Sequence, residues 1–239
     1  MNNTLKEQEY IQLFSANSTL QHSYQTNRKN TLLSSEYAVL YKNFEVPIHP
    51  GASAHLWFYP ASSRTTAELN NCLQNVLNKV SKLSTSQRVQ LQKSANGKPY
   101  LGPPYEKIAV SFSYTQQFGL LGLSTKTAIG VDMVKVTESF KISDVVNSHF
   151  HPSEQLFLKD LDSTCAKNWF FNAWVLKEAA LKSTGEGIAF DGLSKIIVGL
   201  INDSYFIKDG FNKEKSIAGS IALKSNDTEL VIGVSVYGL

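Results

Sequence analysis

One stretch of the chain, residues 168–187 (NWFFNAWVLKEAALKSTGEG), has the clearest helical pattern of apolar and polar positions. Aromatic and aliphatic residues fill its first half, strong helix formers from Leu176 to Lys182 its second, and Gly185 supplies a stop signal, which predicts a mostly buried helix. Leu69, Leu73, Val76, Leu77 and Val80 recur at helical spacing and predict a helix over residues 62–80, with Ser62 or Ser63 as its cap. Residues 144–161 read as a helix broken by Pro152 and restarted with Ser153 as cap, the junction at Phe150-His151-Pro152 being buried. Strand patterns occupy 54–59, 108–114, 118–124 and 128–136. Further strands at 195–200, 205–208, 216–223 and 230–237 are separated by Asn-Asp and Asp-Gly turns. A helix followed by antiparallel strands in each half predicts an α+β fold of two pseudo-symmetric lobes with the active site between them. The expected divisions are an N-terminal region at 1–45, polar with short apolar pieces at 10–14 and 37–41, an N-terminal lobe at 46–125 and a C-terminal lobe at 126–239.

Composition narrows the class. The 239 residues, 42% hydrophobic and 18% charged, suffice for a full core. A formal charge of +3 suits an anionic ligand or an acidic partner and falls short of a nucleic-acid footprint, which interleaved basic and aromatic residues would also require. No apolar run of about eighteen residues is present, the N-terminus has no apolar signal region, and Cys72 and Cys165 lack metal-ligand spacing. These features predict a soluble cytoplasmic protein with reduced thiols.

The predicted central helix carries charges that its apolar pattern does not explain. Glu178 and Lys182 are four apart and share a face, with Trp174 one turn earlier. The plain reading is a helix-stabilising ion pair at the edge of a core. Asp132 gives the alternative: it interrupts an apolar strand directly after Gly130-Val131, and a carboxylate on a rigid strand is held well enough to coordinate a cation. Asp132 and Glu178, with Lys98 (lifted on a Gly97-Pro99 turn) and Lys182 as cations, make a set that suits magnesium and a phosphate-bearing substrate. A diphosphate-containing substrate is the natural expectation.

In order and spacing, Gly97-Lys98-Pro99, Ser113, Gly130-Val131-Asp132 and Trp174-x-x-Lys177-Glu178-Ala179-x-x-Lys182 resemble the 4′-phosphopantetheinyl transferase superfamily, in its two-lobe, surfactin-synthetase-activating form. The resemblance covers about residues 54 to 200. It implies transfer of the phosphopantetheine arm of coenzyme A to a serine of an apo acyl or peptidyl carrier protein, releasing 3′,5′-ADP, by a monomer. By the same resemblance Asp132 and Glu178 bind Mg2+, Lys182 stabilises developing charge, and Glu178 or a water on it accepts the serine proton. Lys98 and Ser113 would contact the nucleotide phosphates, Tyr114 would stand where relatives have a phosphate-approaching histidine, and Arg64 would reach the 3′-phosphate region. Lys177 would face another part of the ligand or solvent, since it lies about 100° round the helix from Glu178. A basic, partly apolar cleft edge, with candidates around 141–150, would receive the carrier. Two positions depart from the family pattern: Val134 replaces a second strand acid, and Tyr114 carries no positive charge at neutral pH. These departures give the alternative reading, a noncatalytic coenzyme A- or carrier-binding homologue, against which Asp132, Glu178 and Lys182 argue.

Overall fold

The computed structural model describes residues 14–15, 43–49, 52–60, 66–80, 88–116, 118–125, 127–137, 141–185, 190–201, 204–209, 216–224 and 229–237. Their elements run in the order β1 (Phe14–Ser15), β2 (Asn43–His49), β3 (Ala52–Pro60), α1 (Thr66–Val80), β4 (Leu91–Lys93), β5 (Pro99–Leu101), β6 (Ala109–Tyr114), β7 (Phe118–Ser124) and β8 (Ala128–Lys135). The chain continues through α2 (Ile142–His149), α3 (Pro152–Lys159), α4 (Ser163–Thr184), α5 (Phe190–Lys195), β9 (Ile197–Ile201), β10 (Ser204–Asp209), β11 (Ser216–Lys224) and β12 (Glu229–Tyr237). The mixture of helices and small antiparallel sheets is the expected α+β class.

Two four-stranded sheets dominate, one in the order β2-β3-β7-β6 and the other β1-β11-β12-β8, with two-stranded ribbons β4-β5 and β9-β10. Every pairing is antiparallel. Period-two alternation in β3, β7, β8 and β12 divides each strand's residues between two faces. Leu56, Phe58 and Leu120 of one sheet meet Ile129, Val131, Met133, Leu230, Ile232, Val234 and Val236 of the other in a shared core. The opposite face of the first sheet, with Trp57, Tyr59, Leu121 and Leu123, packs on Leu73, Val76 and Leu77 of α1. The second sheet's outer face packs on α4, where Val231 and Val134 join Phe171, Val175, Leu176 and Ala180.

Two glycines let α4 lie unusually close to its sheet. A Cβ on Gly130 of β8 would come 1.9 Å from the Ala179 carbonyl oxygen, and one on Gly233 of β12 would come 2.3 Å from that of Val175. Ser235, opposite Gly130 in the β8–β12 register, is buried beneath the same turn of α4.

Several boundaries differ from the sequence expectation, each for a local reason. α4 begins at Ser163 rather than 168, because Asp162 Oδ1 accepts from the Thr164 and Cys165 backbone N–H groups at 2.9 Å each. Its end is as expected: Gly185 takes φ 76° at the C-cap, a left-handed conformation that glycine adopts without strain. The cap of α3 is His151, not Ser153. His151 Nδ1 accepts the Ser153 N–H at 3.2 Å, and Glu154 Oε2 accepts the His151 N–H at 2.9 Å, with Pro152 in the first turn. Phe150 at this junction is buried, as expected. The segment read as a strand from 195 contains the end of α5 before β9 begins. The expected caps Ser62 and Ser63 and the apolar piece at 37–41 lie outside the described residues.

Candidate active site at the seam between the sheets

β8 and β6 are the terminal strands of their respective sheets, and they run side by side. In β8 Gly130 and the side chains of Asp132 and Val134 share the face that α4 covers, as alternation requires. Gly130 admits α4, so the next residue on that face, Asp132, falls beside the turn of α4 that bears Glu178 and Lys182. The Lys182 ammonium donates to Asp132 Oδ1 at 2.6 Å. Ser113 of β6 donates its hydroxyl to the same Oδ1 at 2.9 Å and accepts the Met133 N–H at 3.0 Å. Asp132 and Ser113 are both buried, while Lys182 keeps about a quarter of its side chain, 24%, in solvent.

Glu178 is buried beside this pair, 8% exposed. Its carboxyl is pushed up to about 7, first by burial and then by the negative charge of Asp132, with Lys182 pulling the other way. Lys182 therefore pairs with Asp132 across the fold rather than with Glu178 along the helix. Two buried carboxylates sharing one cation disfavour joint ionisation, and a divalent cation between them would remove that penalty. The donor set, carboxylate oxygens and no sulfur or imidazole, suits magnesium, which keeps several waters and takes one or two protein carboxylates. No cluster of three or more His, Cys, Asp or Glu side chains exists among the described residues, and Val134 packs into the α4 core where a third acid would have stood.

A cleft of about 510 Å³ adjoins this centre. Lys93, Asn96 and Lys98 line it from the β4-β5 ribbon, Phe112 and Tyr114 from β6, and Lys182 and Gly185 from α4. Three lysines and no carboxylate line it, a field suited to an anion, and its volume falls within the roughly 300–1,000 Å³ of small-molecule sites. Lys98 is held over the end of α4: its ammonium donates to the Ser183 carbonyl oxygen, and a Cβ on Gly185 would meet its Cδ at 2.5 Å. Burial pulls its pKa down. Tyr114 stacks on Phe112 with ring centroids 6.4 Å apart and meets Tyr59 edge-on at 6.1 Å. Neither cysteine lines the cleft, and burial pushes the Cys72 thiol up to about 12.

The structure thus brings Asp132, Glu178, Lys182 and Ser113 together, with Lys98 and Tyr114 on the adjoining cleft. Two expectations require correction. Lys177 is not available to a ligand or solvent: it is 0% exposed, its ammonium 2.7 Å from Glu154 Oε2 and donating also to the carbonyl oxygens of Leu193, at 3.0 Å, and of Ile196. All three donors of the ammonium are engaged inside the core. Ser113 faces Asp132 and the β8 backbone, so its single donor is not directed at a phosphate. Arg64 lies outside the described residues. Lys93 is the cleft cation that sequence reasoning missed; the β4-β5 ribbon, in which it pairs with Pro99 beside Lys98, brings it there.

Residues 128–234 match the family model of the 4′-phosphopantetheinyl transferase superfamily. The chain is 27% identical over 140 residues to the 4′-phosphopantetheinyl transferase HetI of Nostoc sp., covering 58% of this chain and 59% of that one. It is 34% identical over 116 residues to slr0495 of Synechocystis sp., provisionally named for the same transferase, covering 46% of this chain and 45% of the relative. It is also 25% identical over 115 residues to the L-aminoadipate-semialdehyde dehydrogenase-phosphopantetheinyl transferase of Mus musculus, covering 43% and 37%. The chain thus spans less than two thirds of the length of each of these relatives. The matched segment supplies β8, α4 and most of β12, and with them Asp132, Glu178 and Lys182; over that segment the chain is similar to the 4′-phosphopantetheinyl transferase superfamily.

Proposed function

We propose that the protein transfers the 4′-phosphopantetheine arm of coenzyme A to a serine of an apo acyl or peptidyl carrier protein, giving holo carrier protein and 3′,5′-ADP. The observation that carries this reading is the buried Asp132–Glu178 pair, bridged to a lysine-lined cleft by Lys182. Asp132 and Glu178 would hold Mg2+, which when bound neutralises pyrophosphate charge. Lys93 and Lys98 would bind the nucleotide phosphates of coenzyme A, with Tyr114 offering a hydroxyl there. Tyr114 and Phe112 give the cleft an aromatic wall beside those phosphates.

The carrier serine attacks the phosphorus bearing pantetheine; the new bond is serine oxygen to phosphorus, and the bond broken is the pyrophosphate bridge. Glu178, or a water on it, accepts the serine proton. Lys182, paired with Asp132 and reaching the cleft, would neutralise the charge growing on the leaving oxygen. With both sheets on one chain the protein acts as a cytoplasmic monomer in this reading. Among the described residues no helix is long and apolar enough to cross a membrane.

The test is incubation with coenzyme A, magnesium and apo carrier proteins, followed by intact mass. A gain of about 340 Da on the carrier serine, the mass of one added arm as a covalent modification, is expected. Glu178→Gln, nearly isosteric, should abolish the gain while leaving the circular dichroism spectrum unchanged. Retained coenzyme A binding without transfer to any carrier would favour the noncatalytic alternative.

A further inference from the structure

The seam between β6 and β8 is held in an unusual way. In the described residues the β8 backbone pairs with β12 on one side only, leaving the N–H groups of Val131 and Met133 directed at β6. No backbone ladder forms there. Two serine hydroxyls replace it: Ser111 Oγ accepts the Val131 N–H and Ser113 Oγ accepts the Met133 N–H, each at 3.0 Å. Both serines are buried, so these bonds lack competition from solvent.

The two hydroxyls differ in one respect. Accepting from Met133 leaves the proton of Ser113 to point elsewhere, and it points at Asp132 Oδ1, 2.9 Å away. Ser111 has no carboxylate in the matching position; its neighbour across the seam, Gly130, has no side chain. Oδ1 of Asp132 is therefore held by a rigid strand hydroxyl and by the long, partly exposed Lys182. A flexible lysine yields to an incoming phosphate. A hydroxyl anchored on a backbone N–H does not.

We infer that Ser113 is a positioning residue: its hydroxyl, oriented by the Met133 N–H, clamps one oxygen of Asp132 and so aims the other at a divalent cation. The inference rests on the metal-binding part of the transferase reading. Partners that orient a ligating carboxylate are typically worth about 10- to 100-fold in metal affinity. Ser111 is the internal control, since it makes the same seam bond without touching the carboxylate.

The experiment measures Mn2+ affinity, from the electron paramagnetic resonance signal of free Mn2+, for the wild-type chain, Ser113→Ala, Ser111→Ala and Ser113→Thr, with thermal midpoints for each. Both alanine variants should lose thermal stability, because each leaves a buried N–H unpaired. Only Ser113→Ala should weaken Mn2+ binding, by about tenfold, and Ser113→Thr, which restores the hydroxyl, should recover most of it. Equal Mn2+ affinities in the two alanine variants would overturn the positioning role while leaving the metal site standing. A wild-type protein that fails to bind Mn2+ would overturn the metal site itself, and the inference with it.

Discussion

At the scale of the residue, adjacent Lys177 and Glu178 have opposite environments, and helix geometry is the reason. A rotation of about 100° places Glu178 at the seam and Lys177 in a closed cage. In the cage Glu154 serves three donors, the Lys177 ammonium, the His151 N–H at 2.9 Å and the Val198 N–H at 2.8 Å. The Lys177 ammonium also sits 4.7 Å over the Phe150 ring. Burial pulls the Lys177 pKa down while Glu154 pulls it up. Lys177→Met should cost about 3–5 kcal/mol in urea unfolding, the range for leaving one member of a buried pair without its counter-ion. A loss below about 1 kcal/mol, as for a surface pair, would contradict the cage.

Glu178 yields a pH prediction at the same scale. Its carboxyl rises from an ordinary 4.5 to about 7, so the folded state holds the proton more tightly than the unfolded one. The stabilisation from the protonated form is complete below 4.5 and is lost as the pH climbs through about 7. In EDTA the wild-type protein should lose a few kcal/mol over this range relative to Glu178→Gln, which has no proton to release. Parallel stability curves for the two proteins would refute it.

At the scale of the element, α4 connects the fold to the chemistry. Its aromatic first half packs in a cluster in which Phe150 lies 5.9 Å from Trp169, 5.5 Å from Phe170 and 6.3 Å from Trp174. Trp174, for all its place in the family-like motif, belongs to that cluster. The second half of α4 rests on bare backbone at Gly130. Gly130→Ala would drive a methyl group into the Ala179 carbonyl, and neither backbone can move without the other. We expect a loss of about 1–3 kcal/mol, the usual cost of overpacking, and a larger loss of transfer activity, because Glu178 and Lys182 shift with the helix. Denaturant melts alongside the carrier mass assay would separate the two effects, and wild-type activity in a destabilised variant would remove the link between helix seating and catalysis.

At the scale of the whole molecule, the cleft concentrates Lys93, Lys98 and Lys182 on a chain whose formal charge is only +3. The local field, not the net charge, is what an anionic ligand meets. Coenzyme A affinity should fall as salt is raised, since exposed charges are screened over about 10 Å at 0.1 M ionic strength. Lys93→Ala should weaken binding several-fold and flatten that salt dependence, read by isothermal titration at two salt concentrations. Unchanged affinity would remove Lys93 from the ligand's path.

Much of this was legible in the chain itself. The 3.6-residue and two-residue periods located the main helices and strands, because burial of one face leaves a period in the sequence. Gly185 marked the end of α4, and Asp132, Glu178, Lys98 and Lys182 stood out as charges in apolar or turn-forming surroundings. Contacts between distant segments left no such trace. That Lys177 meets Glu154, 23 positions away, that Ser113 meets Asp132, 19 away, and that Lys182 meets Asp132, 50 away, depends on how sheets and helix are seated on one another. The β4-β5 ribbon that carries Lys93 to the cleft was equally invisible, its strands being three residues each, too short for any period to show. Local pattern determined which residues would be buried or charged; only the tertiary packing decided which charge faces which, because electrostatic and hydrogen-bonded pairing acts over a few ångströms of space and not along the chain.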